Sequence, residues 1–211
     1  MNKLTLFAIG AAALIGGLLA YALTKGASPF GAQQSRAYEQ LTELPSGRAL
    51  PDFELLDQDG QSFGRDGFAG RWSVLFFGFT NCPDICPMTL YELSRMQKAL
   101  KDLPPRQYPS VYMISVDVAR DTPEVMANYV RAFNSAFVGL TGDAAELARL
   151  ASTLGVAYGT EPRADGGYEV LHTAALFFLN DAGELVAVSS APHDPAVLAR
   201  DYSKLVSGAS T

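Results

Sequence analysis

Residues 72–100 read "WSVLFFGFTNCPDICPMTLYELSRMQKAL", and three patterns follow one another in that stretch. "WSVLFFGFT" is an unbroken apolar run of strand-forming residues, which predicts a central strand buried on both faces. From Met88 onward, Leu90, Leu93, Met96, Leu100 and Leu103 recur at helical spacing, which predicts a helix over residues 88–103. Between strand and helix lies a loop with Cys82 and Cys86, the only two cysteines of the 211-residue chain, each followed by proline. A strand, a loop at its carboxyl end and a helix open an α/β unit, and ligands of open α/β sheets bind at the carboxyl ends of strands.

Working outward, the same alternation continues. "PDFELLDQDGQSFG" has two short runs around Asp57–Gly60, a β-hairpin near the start of the folded region. "SVYMISVDV" is a second buried strand. "TPEVMANYVRAF" is a helix with Thr122 as its cap, Pro123 at its first position and Glu124 in its first turn. "FVGLTG" is a short strand, and residues 143–156 form a helix capped by Asp143. "AALFFLNDAGELVAVSS" predicts two strands around residues 180–183, and residues 194–208 close the chain with a helix. Strands alternating with helices imply an α/β fold with parallel pairs in one sheet and helices on its faces. No internal repeat and no phosphate-binding glycine loop is present.

The first 28 residues differ from the rest. Lys3 and Lys25 are their only charges, and the uncharged run from Leu4 to Thr24 matches the ~20 residues of a membrane-spanning helix. Ala20 and Ala22 also offer a small-residue pattern for signal cleavage, but the run exceeds the ~7–15 apolar residues of a signal peptide core. The expectation is a membrane anchor or uncleaved signal over 1–28, a polar tether over 29–45 and one domain over 46–211. A short tail before the span and the bulk after it favour an exported domain. A single-pass protein of the bacterial inner membrane, with its domain in the periplasm, is the simplest reading. The net charge of −6 argues against a nucleic-acid partner, which requires a basic face.

Three chemistries fit two cysteines in one loop. A structural disulfide would close only a few residues, and the stabilisation expected from so short a loop is small. A redox pair is compatible with an oxidising compartment, although dithiol catalysts of the thioredoxin type space their cysteines C-x-x-C and here three residues intervene. A metal site needs more donors: two thiolates favour Cu(I), with Zn(II) as competitor, and histidine is the natural third ligand. A helix N-terminus beside the loop favours thiolate. The chain has two histidines. His193 sits in a proline-flanked turn and reads as an ordinary surface or core residue. His172 precedes an apolar strand, and ligand and ordinary roles stand level for it on residues alone.

The stretch "FFGFTNCPDICPMTLYEL" resembles the signature of the SCO (SenC) family of copper-binding proteins, with Cys82, Cys86 and Pro87 on the family's C-x-x-x-C-P. "ISVDVARDTPEVMANYV" is similar to a second family segment and "EVLHTAALFFLNDAGELV" to a third, which puts His172 at the ligand histidine. The three segments occur in family order over roughly residues 46–207. Leu171 stands where the family has Asp, Asn81 where many members have His, and Val118 where Pro is usual. An acidic neighbour can orient a ligand imidazole, so Leu171 bears on affinity or redox behaviour.

The resemblance implies a thioredoxin-like fold: a central mixed sheet flanked by helices, behind a membrane anchor. It implies a copper site of Cys82, Cys86 and His172, holding Cu(I) in trigonal geometry and Cu(II) with an added ligand. The function implied is that of a membrane-tethered copper chaperone. It would aid assembly of the binuclear copper site of cytochrome c oxidase, by copper delivery, thiol reduction or both. The implied partners are the copper-site subunit of the oxidase and other copper chaperones or thiol oxidoreductases. A thiol–disulfide oxidoreductase or peroxidase-like enzyme using Cys82 and Cys86 is the alternative, and a structural zinc module is a weaker third. Asp84, Asp117 and Asp121 are candidates to support the site or face a partner, with simple surface solvation the expected role of each.

Overall fold

The computed structural model describes residues 38–208 apart from Asp165. The expected anchor over 1–28 lies outside the described residues, and among those described no helix is long and apolar enough to cross a membrane.

The run that predicts a central strand forms β4 (Ser73–Gly78), and every one of its residues is buried. It pairs in parallel with β5 (Ser110–Ser115) and antiparallel with β9 (Ala175–Leu179). β5 pairs in parallel with β6 (Val138–Gly142). Beyond β6 lies the predicted hairpin, β2 (Leu55–Asp57) and β3 (Ser62–Phe63), whose turn is closed by Asp57 Oδ1 accepting from Asp59 N and Gln61 N, both at 2.9 Å. On the other side β10 (Glu184–Ser190) pairs with β9, and β1 (Thr42–Ala49) pairs with β10. The eight-stranded order is β1-β10-β9-β4-β5-β6-β2-β3, a mixed sheet.

Among the described residues four α-helices flank it: α1 (Ile85–Ala99), α2 (Pro123–Phe133), α3 (Ala144–Leu154) and α4 (Pro195–Gly208). Thr122 and Asp143 cap α2 and α3 as their positions predict, Thr122 accepting from Val125 N and Asp143 from Ala145 N and Glu146 N. Gly155 ends α3 at φ 73°, a left-handed conformation that glycine adopts without penalty. Leu90, Leu93, Met96 and Leu100 are all buried in the core, as the helical spacing requires.

Three boundaries differ from the sequence expectation. β1 starts at Thr42, so residues placed in the tether belong to the sheet. Its residues are mostly exposed and polar, and an edge strand of that kind carries no apolar period. The lead-in before it is fixed by Asp201 of α4, a wholly buried carboxylate that accepts from Glu39 N and Gln40 N at 2.8 Å each and Leu41 N at 3.3 Å. Second, β7 (Tyr158–Pro162) and β8 (Tyr168–His172) form a separate two-stranded hairpin that the apolar pattern does not reveal, because most of its residues are exposed. Third, α1 runs over Ile85–Ala99 rather than 88–103, which brings Cys86 into its first turn and leaves Leu103, partly buried, beyond its end. Pro87 is no obstacle there, since the first-turn N–H groups have no helical acceptor in any case.

Candidate metal centre

Two crossings of the sheet deliver the donors. β4 ends at Gly78, the chain turns through Thr80 and Cys82, and α1 starts with Cys86 one residue inside it. The hairpin β7–β8 ends at His172 immediately before β9 runs back beside β4. Cys82, Cys86 and His172 therefore meet at the carboxyl end of β4: one donor atom from each lies within 4.8 Å of the others. Cys86 Sγ is 3.5 Å from His172 Nε2, and Cys86 N donates to Cys82 Sγ at 3.4 Å. Cys86 is buried, Cys82 and His172 half-buried, and both cysteines are free thiols. Among the described residues this is the only such group of metal-ligating side chains. His193 is not part of it. It is buried elsewhere, with Nδ1 3.4 Å from Ser189 Oγ.

His172 is preset as a ligand. Its Nδ1 lies 3.3 Å from the carbonyl oxygen of Thr173. A carbonyl only accepts, so this contact favours the tautomer with its proton on Nδ1, which leaves the Nε2 lone pair toward Cys86 Sγ. Phe76 and Phe79 hold the ring edge-on, with centroids 6.0 and 5.7 Å away. Removal from water lowers the imidazole's pKa, which keeps the ring neutral.

The cysteines depart from one expectation. A helix N-terminus was expected to favour thiolate, but desolvation outweighs it at Cys86 and pushes the thiol well above its ordinary range. Without a metal Cys86 is a buried neutral thiol. A bound cation would supply the charge that burial withholds, and a proton would leave as it binds. Gly78 makes room for this sulfur: a Cβ there would stand 3.0 Å from Cys86 Sγ and 2.7 Å from the Phe76 ring.

Beneath the loop lies a polar network that residue type alone did not disclose. Asp121 is wholly buried, not solvated as expected. Its carboxylate accepts from Thr80 N (3.0 Å), Thr80 Oγ1 (2.6 Å) and Ser115 Oγ (2.6 Å), and its carbonyl accepts from Thr141 Oγ1 (2.7 Å). The end of β4, the end of β5 and the start of α2 are thereby joined two residues before Cys82. Asp117 is likewise buried, and ties in the other arm of the site. It pairs with Arg120 and accepts from Tyr168 Oη at 2.7 Å, while the Arg120 guanidinium lies 4.1 Å above the Tyr168 ring. Tyr168 opens β8, so this contact anchors the hairpin that carries His172. Burial of both aspartates is compensated by donors, for each a local one (Arg120 for Asp117, Ser115 for Asp121) and one from a distant part of the chain (Tyr168 for Asp117, Thr80 for Asp121). Asp84 is exposed and makes no side-chain cap to α1.

A cleft of about 800 Å³ lies between β2, β6 and the starts of α2 and α3, and none of the three donor residues lines it. His172 instead borders a recess of about 470 Å³ with Tyr158 and Leu171. Leu171, at the family's Asp position, is exposed, and so are Ile85, Met88 and Tyr91 on the segment that carries the cysteines.

Comparison with known proteins bears on this geometry. The SCO1/SenC family profile matches residues 42–207. The "Putative copper-binding protein" of Stutzerimonas stutzeri is 40% identical over 149 residues, covering 71% of this chain and 72% of that protein. The human mitochondrial protein SCO2 homolog is 36% identical over 152 residues, covering 72% of this chain but only 56% of its own length. Among solved structures, Arabidopsis thaliana ScoI with copper bound superposes with a TM-score of 0.71 at 30% identity, covering 75% of this chain and 98% of that one.

Proposed function

The chain belongs to the SCO1/SenC family, and from that premise we propose that it is a membrane-tethered copper-binding chaperone that aids assembly of the binuclear copper site of cytochrome c oxidase. The observation that carries the copper reading is the convergence of Cys82, Cys86 and His172 within 4.8 Å. Two sulfurs and a neutral imidazole form a soft donor set suited to Cu(I). A fourth protein ligand, as closed structural zinc sites have, is absent from this group. His172 offers a lone pair, Cys86 a sulfur sheltered from water, and Cys82 a half-exposed sulfur through which an incoming ligand can reach the ion. Oxidation of both sulfurs to a disulfide releases two electrons and two protons to an acceptor disulfide, and withdraws both sulfur donors from the metal. Copper delivery and thiol reduction are thus two uses of one loop.

The family resemblance supports the oxidase copper-site subunit as partner. The uncharged run over Leu4–Thr24 supports an anchor over 1–28, with the folded domain in the periplasm of a bacterial cell. Extraction of the full-length protein from membranes by carbonate would contradict the anchor, and resistance to extraction supports it.

Anaerobic Cu(I) titration tests the copper reading. One ion per chain is expected, with binding greatly weakened in His172→Ala. The adjacency of the two sulfurs also favours a second reading, a thiol–disulfide oxidoreductase. Reductase turnover that survives His172→Ala, in protein that does not retain Cu(I), would establish that reading instead.

A further inference from the structure

The outer face of α1 breaks the pattern of a surface helix. Its inner face, with Cys86, Leu90 and Leu93, is buried, and the opposite face of such a helix is ordinarily polar. Further along α1 it is, with Arg95 and Lys98 exposed. Over the first two turns Ile85, Met88 and Tyr91 stand there instead, 48, 55 and 60% exposed, at successive i, i+3 positions. Leu171 is 48% exposed and borders the same recess as His172. His172 Nε2 lies 3.5 Å from Cys86 Sγ, and Leu171 and Ile85 are the chain neighbours of those two donors. Among the described residues six large apolar side chains are exposed, and these are four of them. Scattered exposed apolar residues are ordinary, whereas a group gathered at one site marks a contact surface.

The same end of the domain is acidic. No lysine or arginine stands between Arg71 and Arg95, or between Arg163 and Arg200, the two stretches that carry the donors. Asp84 and Glu169 are exposed on those stretches, and Glu92 is half-buried beside Tyr91. β10 runs parallel to β4, since each is antiparallel to β9, so the exposed Asp194 at the start of α4 belongs to this end as well. Arg120 is paired with Asp117. An apolar middle with an acidic surround selects its occupant. A second copy of the chain would set like charges against each other. A face that lies on a bilayer carries lysine and arginine around its apolar residues, and anionic lipid repels carboxylates. A protein surface with an apolar patch and a basic rim complements both features.

We propose that Ile85, Met88, Tyr91 and Leu171 form a docking face at the metal centre, and that it takes a protein partner presenting an apolar patch rimmed by lysine and arginine. Cys82 is half-buried in the loop that leads into this stretch of α1, so a partner seated there brings its own ligands to the metal while the apolar contact excludes water. The carboxylates steer the approach, and association weakens with salt. The inference deepens the proposed function and rests on it for the partner used in the test.

The test titrates the full-length chain, solubilised in detergent and loaded with Cu(I), with the copper-free copper-site subunit of the oxidase. Association is expected to weaken at least roughly tenfold between ~0.05 and ~0.5 M salt, and Asp84→Asn with Glu169→Gln to flatten that dependence. Met88→Gln with Tyr91→Gln keeps helix-forming side chains at two exposed positions, so Cu(I) affinity is expected to stay as in wild type while association falls at least roughly tenfold. Leu56→Gln, at an exposed apolar position on β2 away from the donor segments, is expected to associate like wild type. Association of the Met88→Gln, Tyr91→Gln protein within about twofold of wild type overturns the docking face, as does an equal loss in Leu56→Gln. Association indifferent to salt overturns the basic rim. A wild type that holds Cu(I) but does not associate overturns the partner and leaves the copper reading standing. Hydrogen exchange over residues 85–92 identifies any other occupant. Slowing in phosphatidylcholine nanodiscs without the subunit, or on raising the concentration of the chain alone, assigns the face to lipid or to a second copy and overturns the protein partner. If the wild type fails to bind Cu(I) yet associates through Met88 and Tyr91, the copper reading falls and the docking face stands.

Discussion

Replacing Asp121 by asparagine tests whether the metal loop is held from beneath. Asp121 is fully enclosed, and its two oxygens accept three hydrogen bonds, two from Thr80 and one from Ser115, at 2.6–3.0 Å. Asparagine keeps the shape but offers one acceptor oxygen and an amino group. If the oxygen stays where Thr80 N–H and Ser115 O–H converge, the amino group faces Thr80 Oγ1. That hydroxyl must then turn and is left without an acceptor. Two bonds lose the charge assistance that separates ~1.5–3 from ~1 kcal/mol, and the third leaves a buried donor unsatisfied at ~1–3 kcal/mol. The sum spans ~2–7 kcal/mol, and because Thr80 is only half-buried the low end applies, about 3 kcal/mol. With a urea slope of ~2 kcal/mol/M, the unfolding midpoint of the metal-free protein drops by about 1.5 M. Thr80 lies two residues before Cys82, so Cu(I) affinity falls in the same variant. A midpoint within about 0.3 M of wild type would show that the network does not hold the loop, and would refute the reasoning.

Gly78→Ala places a Cβ 3.0 Å from Cys86 Sγ and 2.7 Å from the Phe76 ring, so a loss of ~1–3 kcal/mol in urea unfolding and weaker Cu(I) binding are expected together. Unchanged binding would mean that the sulfur has room to move. Tyr168→Phe deletes the 2.7 Å bond to Asp117, leaving that buried carboxylate one donor short at a cost of ~1–2 kcal/mol. Amide hydrogen exchange should then quicken across Tyr158–Pro162 and Tyr168–His172 more than in β4. Burial lowers the pKa of both His172 and His193. The unfolded chain therefore takes up protons before the folded one as pH falls. Their contribution to stability is complete above the unfolded imidazole value of ~6.5 and is lost below it, through the depressed folded values. Urea midpoints of metal-free protein should accordingly be lower near pH ~5.5 than near ~7.5, with a smaller drop in His193→Gln; a midpoint that rises on acidification contradicts the assignment.

Much of the fold is legible wherever burial leaves a period in the sequence. The run of β4, the helical spacing of Leu90, Leu93, Met96 and Leu100, and the caps Thr122 and Asp143 all lead to the elements observed. Strands without a buried face do not announce themselves. β1 and the β7–β8 hairpin are held by pairing with a partner strand, and pairing leaves no mark on residue type. The site shows the same division. Cys82 and Cys86 stand out by count and spacing. His172 is level with an ordinary histidine by residue type, and only the return of the chain through β8 brings its Nε2 to 3.5 Å from Cys86 Sγ. Asp117 and Asp121 looked like surface carboxylates because their donors lie elsewhere: Thr80 is 41 positions from Asp121, and Tyr168 is 51 from Asp117. The thiolate expected of a helix start fails at Cys86 because burial outweighs the helix field.

The central claim is that copper sits on Cys82, Cys86 and His172, and X-ray absorption at the copper edge reads those donors directly. On Cu(I)-loaded protein the spectrum should show two sulfurs and one imidazole nitrogen, and His172→Ala should lose the imidazole while keeping the sulfurs. A shell of nitrogen and oxygen alone in the wild type, or an imidazole that persists in His172→Ala, would contradict it.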